Sequence, residues 1–207
     1  MLNIIEQALI SYQAKPISQK RIYAVLLPLI KVKNEWHVLY EVRSEQVPQP
    51  GDVSFPGGAV EANESLVQAA IRETTEELNI SENQIQILGE IDYIVNAQAT
   101  IHCFVGRLLI DDYQQITPNE EVAKIFSVSL KDLINHPPRY YQLASEIVPN
   151  EDFPFNKIRN GKQYRFSQRS NAIPFYDLTD ETIWGMTAQF THHFTQIITQ
   201  IQNNNVE

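Results

Sequence analysis

Glu73, Glu76 and Glu77 stand at i, i+3 and i+4 in a stretch, residues 62–78, that lacks glycine and proline. Ala, Leu, Gln, Arg and Glu dominate it, and these are good helix formers. The spacing predicts a helix over Ala62–Leu78, with Asn63 as its cap and Glu64 in the first turn. Leu66, Val67, Ala70, Ile71, Thr74 and Leu78 form its core face. The three glutamates then crowd one edge, where like charges oppose one another by about a few tenths of a kcal/mol per pair. A solvated surface is the ordinary reason for such an edge. The other is a carboxylate site for Mg²⁺ or Mn²⁺, hard cations that prefer oxygen ligands and hold waters a phosphate can displace. The residues in front favour the second. Phe55-Pro56-Gly57-Gly58 ends a short apolar strand, Val53–Phe55, and turns the chain toward the helix. Paired glycines permit a close backbone approach, so the Gly58 carbonyl can face a metal beside the carboxylates.

Gly58, Glu64, Arg72, Glu73, Glu76 and Glu77 fit the pattern G-x5-E-x7-R-E-x-x-E-E. This resembles the Nudix box, the signature of hydrolases that cleave a nucleoside diphosphate linked to another group. Upstream, Arg43, Ser44, Gly51 and Phe55–Gly58 resemble the extended motif of the coenzyme A pyrophosphatase branch, and Ile183–Ala188 is also similar to that branch. There are departures. Asn79-Ile80 stands where the box ends in glycine and an aliphatic residue, Thr74 replaces an aliphatic, and Asp52 replaces a longer polar residue. Asparagine is the second choice for the left-handed residue that closes a helix.

The resemblance implies water attack on a pyrophosphate phosphorus with Mg²⁺ or Mn²⁺ as cofactor. It makes Glu73 and Glu77 the principal ligands and Glu76 a third ligand or the water-positioning carboxylate. The Gly58 carbonyl joins them. Arg72 orients Glu73 and Glu64. Arg43, with Ser44 and Gly57 beside it, is the expected phosphate contact. Glu120 and Glu121, on a loop before a strand, are candidates for a general base outside the box. The expected reaction is hydrolysis of coenzyme A, or an acyl or oxidised derivative, to 3′,5′-ADP and 4′-phosphopantetheine. The alternatives are another nucleoside diphosphate derivative, such as ADP-ribose or a dinucleotide, and a non-catalytic Nudix-fold sensor. Sensors of this kind often lose one of the three glutamates, and this chain has all three.

Positioning these residues requires a sheet. Arg21–Lys31 and Glu35–Arg43 read as a hairpin turning at Lys33-Asn34. Ile85–Val95 and Thr100–Ile110 are two more β-rich runs, Val122–Ser127 another, and Leu130–Ile134 a short helix. A leading helix is expected from Leu2 to about Tyr12. Residues 136–178 are rich in proline and aromatics, with a hairpin expected around Asn160-Gly161. Asp180–Gln202 reads as a closing helix with Trp184 and Met186 toward the core. Strands alternating with helices fit an α/β/α sandwich around a mixed sheet, the Nudix-type fold. One domain over 1–207 is expected, with its core at about 20–135 and the insertion and closing helix at about 136–203.

Composition narrows the partners. The net charge of −9 and the lack of any Lys/Arg run longer than two argue against nucleic acid. The longest apolar run, Ile22–Ile30, contains Pro28 and is too short to span a membrane. No signal peptide is read, and a single cysteine, Cys103, suits a reducing compartment, so the expected location is cytoplasmic. Cys103 reads as a buried strand residue. His192 and His193 diverge on a helix with no third zinc ligand in register. Tyr140, Tyr141, Phe153 and Phe155 are candidates to stack on adenine or line a pantetheine channel, though aromatics in a small lobe more often form its core. The expected partner is a small phosphorylated molecule, with a second copy of the chain, as a homodimer, left open.

Overall fold

A computed structural model describes residues 1–13, 17, 21–166 and 169–204. Its centre is a seven-stranded sheet built from β1 (Arg21–Val32), β2 (Glu35–Arg43), β3 (Val53–Ser54), β4 (Gly57–Ala59), β5 (Ile85–Val95), β6 (Ala99–Leu108) and β7 (Val122–Ser129). The order is β3-β2-β1-β6-β5, with β4 also on β1 and β7 also on β2. β1 and β6 run parallel and the other pairs antiparallel, so the sheet is mixed. Lys33 and Asn34 both have positive φ, the geometry of a two-residue turn whose twist matches its strands.

Pro28 sits inside the central strand without breaking it. Its missing N–H falls between the ladder to β2, which begins at Leu29, and the ladder to β4, which ends at Val25.

One face of the sheet is covered by α2 (Leu66–Leu78), whose Ala69, Ala70 and Leu78 pack with Ala24, Leu26, Leu39 and Phe104. The other face packs against α3 (Leu130–Asn135) and α4 (Gly185–Asn204) through Leu133, Ala188, Phe190 and Phe194. This is the expected sandwich. α1 (Leu2–Ile10) forms as expected, but none of its residues is buried. No helix among the described residues is long and apolar enough to cross a membrane.

Five local expectations change. α2 starts at Leu66, not Ala62, because Ser65 makes a reciprocal capping box with Gln68. Asn63 instead takes a left-handed turn conformation, φ 72°. The Gly57-Gly58 turn is itself a short strand, β4, paired with Val25 and Ala24. The hairpin expected at Asn160-Gly161 is a left-handed turn opening a 3₁₀ segment. The hairpin of this region is made instead by β8 (Arg139–Ser145) and β9 (Arg169–Tyr176), which β10 (Ile183–Trp184) extends to three strands. Trp184 and Met186 do not enter the core: they are 39% and 48% exposed, and Ile183 and Ala188 are buried in their place.

Candidate active site

β4 and α2 meet closely at two glycines. A Cβ on Gly58 would lie 2.2 Å from Glu73 Oε1, and one on Gly57 would lie 2.5 Å from the Ala24 carbonyl oxygen. The Gly57 N–H donates to Glu77 Oε2 at 2.8 Å. The glycines therefore let two glutamates of the helix lie directly on the strand.

Arg72 organises the outer side of this contact. Its guanidinium donates to both oxygens of Glu64, from Nη2 at 2.9 Å and Nε at 3.2 Å. Nη1 donates to Glu73 Oε1 at 2.8 Å and to Glu76 Oε2 at 3.3 Å, and Nη2 also reaches the Ala59 carbonyl at 3.2 Å. One cation thus ties the strand β4, the loop at Glu64 and the helix together. Glu64 also accepts from the Glu61 N–H at 2.6 Å. The Arg72 pair and that N–H hold the Glu64 carboxyl below the usual range. The same carboxylates hold the Arg72 guanidinium protonated. A planar five-donor fork makes this arrangement, which lysine cannot reproduce. Arg72→Lys is expected to lower kcat about tenfold and to move the thermal midpoint by less than about 4 °C. Steady-state kinetics beside thermal unfolding check it.

Glu77 is 5% exposed. Burial pushes its carboxyl up to about 9, with Glu41, Glu73 and Glu121 adding to the rise and the Gly57 N–H opposing it. Glu73 is raised in the same direction by burial, against the pull of Arg72. Glu76 is more exposed and pairs with Arg72 Nη1 at 3.3 Å.

Glu41 is a residue that sequence reasoning misses. It lies on β2 at 2% exposure, between β3 and β7. Ser54 Oγ donates to its Oε1 at 2.9 Å, while Oε2 is buried with no hydrogen-bond partner among the described residues. Burial raises it to about 7, and Ser54 and Arg43 pull the other way. The available signal was a lone acid in the apolar run Val38–Val42.

The remaining candidates fall around this group. Arg43 is half-buried, donates from Nε to the Pro48 carbonyl at 2.7 Å and acts electrostatically on Glu41. The Ser44 hydroxyl accepts from the Gln46 N–H, and the Ser44 N–H donates to the Glu121 carbonyl at 2.8 Å. Glu121 is among the charges that raise Glu41, Glu73 and Glu77, and Glu120 is not. Histidines 192 and 193 serve different partners: His192 Nδ1 meets the Tyr140 hydroxyl at 2.6 Å, and His193 pairs with Asp92. They border a cavity of about 260 Å³ beside α4 that none of the glutamates above lines.

The donor set suits a hard divalent cation. Crowded acids whose burial penalises ionisation, one with an unpartnered buried oxygen, describe a deficit of positive charge. Their side chains are not gathered into a cage, for among the described residues no three acidic, His or Cys groups meet at ligand spacing. Glu73 is turned onto Arg72 and Glu77 onto Gly57.

A family model described as the NUDIX domain matches residues 20–150. An uncharacterized Nudix hydrolase named NudL, from Enterobacter sp. (strain 638), is 31% identical over 179 residues, 84% of this chain and 81% of its own length. The human mitochondrial coenzyme A diphosphatase NUDT8 is 28% identical over 191 residues, 90% of this chain and 71% of its own. Among solved structures, a MutT/nudix family protein from Enterococcus faecalis aligns with 96% of this chain and 70% of that one, at 13% identity and a TM-score of 0.51. That last likeness is one of fold alone.

Proposed function

The chain belongs to the Nudix family and is a pyrophosphohydrolase of that family, and from this premise we propose that it is a coenzyme A diphosphatase. The proposed reaction cuts the pyrophosphate of coenzyme A, or of an acyl or oxidised derivative, to 3′,5′-ADP and 4′-phosphopantetheine or its derivative. The observation that carries the site is the crowd of buried carboxylates on β2 and α2 against the Gly57-Gly58 strand. The substrate reading draws on the human relative's name and on Arg43, Ser44 and Phe55–Gly58, which lie beside those carboxylates.

Glu73 and Glu77 are the proposed principal ligands of Mg²⁺ or Mn²⁺, with the Gly58 carbonyl. Glu76 is a third ligand or the carboxylate that positions water. When bound, the ion neutralises charge on the pyrophosphate oxygens and lowers the pKa of water. This chain's residues do the rest. Arg72 holds Glu73 and Glu64 in place, so the helix and the strand present their oxygens together. Glu121 takes the proton of the attacking water, and the exposed Glu120 is the alternative. Arg43 meets a phosphate oxygen on the side of Ser44 and Gly57.

Initial rates with coenzyme A, ADP-ribose and a diadenosine polyphosphate, each with Mg²⁺ or Mn²⁺, test the substrate assignment. The expected result is a kcat/KM for coenzyme A at least about tenfold above the others, a difference of about 1.4 kcal/mol in transition-state binding. A higher value for ADP-ribose would leave the hydrolase and discard the coenzyme A assignment. Turnover of none would favour a ligand sensor.

A further inference from the structure

Asn79 closes α2 in the left-handed conformation, φ 51° and ψ 44°, with its N–H on the Thr75 carbonyl. A cap needs nothing more, and glycine supplies that conformation with less strain. The asparagine side chain does something further. Its Nδ2 donates to the Thr117 carbonyl at 2.9 Å. Thr117 begins a tightly bound segment. The Asn119 N–H donates to the Glu77 carbonyl at 2.8 Å, and Asn119 Oδ1 accepts from the Glu121 N–H at 2.9 Å. The Val122 N–H returns to the Asn119 carbonyl at 3.3 Å, and the Glu121 carbonyl accepts from Ser44 at 2.8 Å. Glu121 is thereby fixed on both sides: through Thr117 and Asn119 to the end of α2, and through Ser44 to the end of β2.

We propose that Asn79 is a positioning residue, whose side chain pins residues 117–121 to α2 and so holds Glu121 at the end of the helix that carries Glu73 and Glu77. The inference rests on the reading of Glu121 as the proton acceptor. It also accounts for asparagine where the signature has glycine: glycine caps the helix but leaves the Thr117 carbonyl unpartnered by any side chain. A loop that carries a proton acceptor tolerates little displacement, because a shift of about 1 Å costs as much as a hundredfold in rate. One lost hydrogen bond frees the loop only in part, so the expected loss is smaller.

The test is a double-mutant cycle of Asn79→Gly and Glu121→Gln, assayed on whichever of coenzyme A and ADP-ribose the full chain turns over. Asn79→Gly is expected to lower kcat about three- to tenfold with KM within about twofold, in keeping with one hydrogen bond. The thermal midpoint should stay within about 4 °C, since the left-handed cap is retained. In the Glu121→Gln background the same change should have no further effect. Amide exchange should quicken in residues 117–121 of Asn79→Gly and stay unchanged in α2. An unchanged kcat, an equal loss with and without Glu121, or unchanged exchange at 117–121 each overturns the role of Asn79. If Glu121→Gln alone leaves kcat unaltered, the reading of Glu121 has failed, and the proposal falls with it for that separate reason.

Discussion

Glu77→Gln is expected to lower kcat by about 10²–10³-fold while the protein stays folded. Glutamine fills the same volume and its carbonyl oxygen can still accept from Gly57, but it brings no negative charge to the pyrophosphate site. The same variant should change how the metal-free protein responds to pH. The Glu77 carboxyl lies at about 9 in the folded chain, against an ordinary value of 4.5, and Glu41 at about 7. Between 4.5 and these values the folded state holds protons that the unfolded state has released. Stability therefore falls as pH rises through that window and is highest at its acid end, as far as these two groups decide it. Glu77→Gln removes the upper part of the slope. Mg²⁺ or Mn²⁺ opposes it in the wild type, because the ion competes with protons for the same oxygens and stabilises more at higher pH. Thermal unfolding at pH 5, 7 and 9, with and without metal, reads all three. A variant with the wild-type slope would show that another group titrates.

Gly58→Ala is expected to abolish most activity, by about a hundredfold or more, through a single methyl group. The added Cβ would lie 2.2 Å from Glu73 Oε1 and 2.4 Å from its Cδ, so the carboxylate has to leave the strand. That displacement exceeds the roughly 1 Å that already costs about a hundredfold in a positioned site. It also breaks the contact of Glu73 with Arg72, since the guanidinium is already committed to Glu64, Glu76 and Ala59. Gly89→Ala is the control. No described residue lies within 4 Å of a Cβ at Gly89, and kcat should not change. Equal kinetics for the two variants would mean that Glu73 has no fixed place on β4.

Much of this was legible in the chain. The hairpin was readable from Lys33-Asn34 between apolar runs, and the helix and its glutamates from spacing alone. What was not legible depends on partners distant in sequence. Glu41 looks like one polar residue in a strand until Ser54 and β7 close over it. Glu77 looks like surface until Gly57 meets it. β8 and β9 pair across residues 146–168, with no short turn to announce them. Trp184 was expected on the core side of a helix over Asp180–Gln202, but that helix starts at Gly185. Trp184 lies instead on the outer side of a short strand, stacked on Phe175, while its neighbour Ile183 takes the core position. Asn63 was a reasonable cap by residue type, but Ser65 has Gln68 three residues on to complete the box.

The most direct measurement is the hydrolysis of coenzyme A in ¹⁸O-labelled water, with Mg²⁺ or Mn²⁺, followed by mass spectrometry of the products. The account predicts 3′,5′-ADP and 4′-phosphopantetheine, one ¹⁸O on a single phosphoryl group, no release with chelator, and release slowed about 10²–10³-fold with Glu77→Gln. Intact coenzyme A under conditions where ADP-ribose is split would contradict the proposed substrate. Release that persists in chelator, or that proceeds at the wild-type rate in Glu77→Gln, would contradict the proposed site.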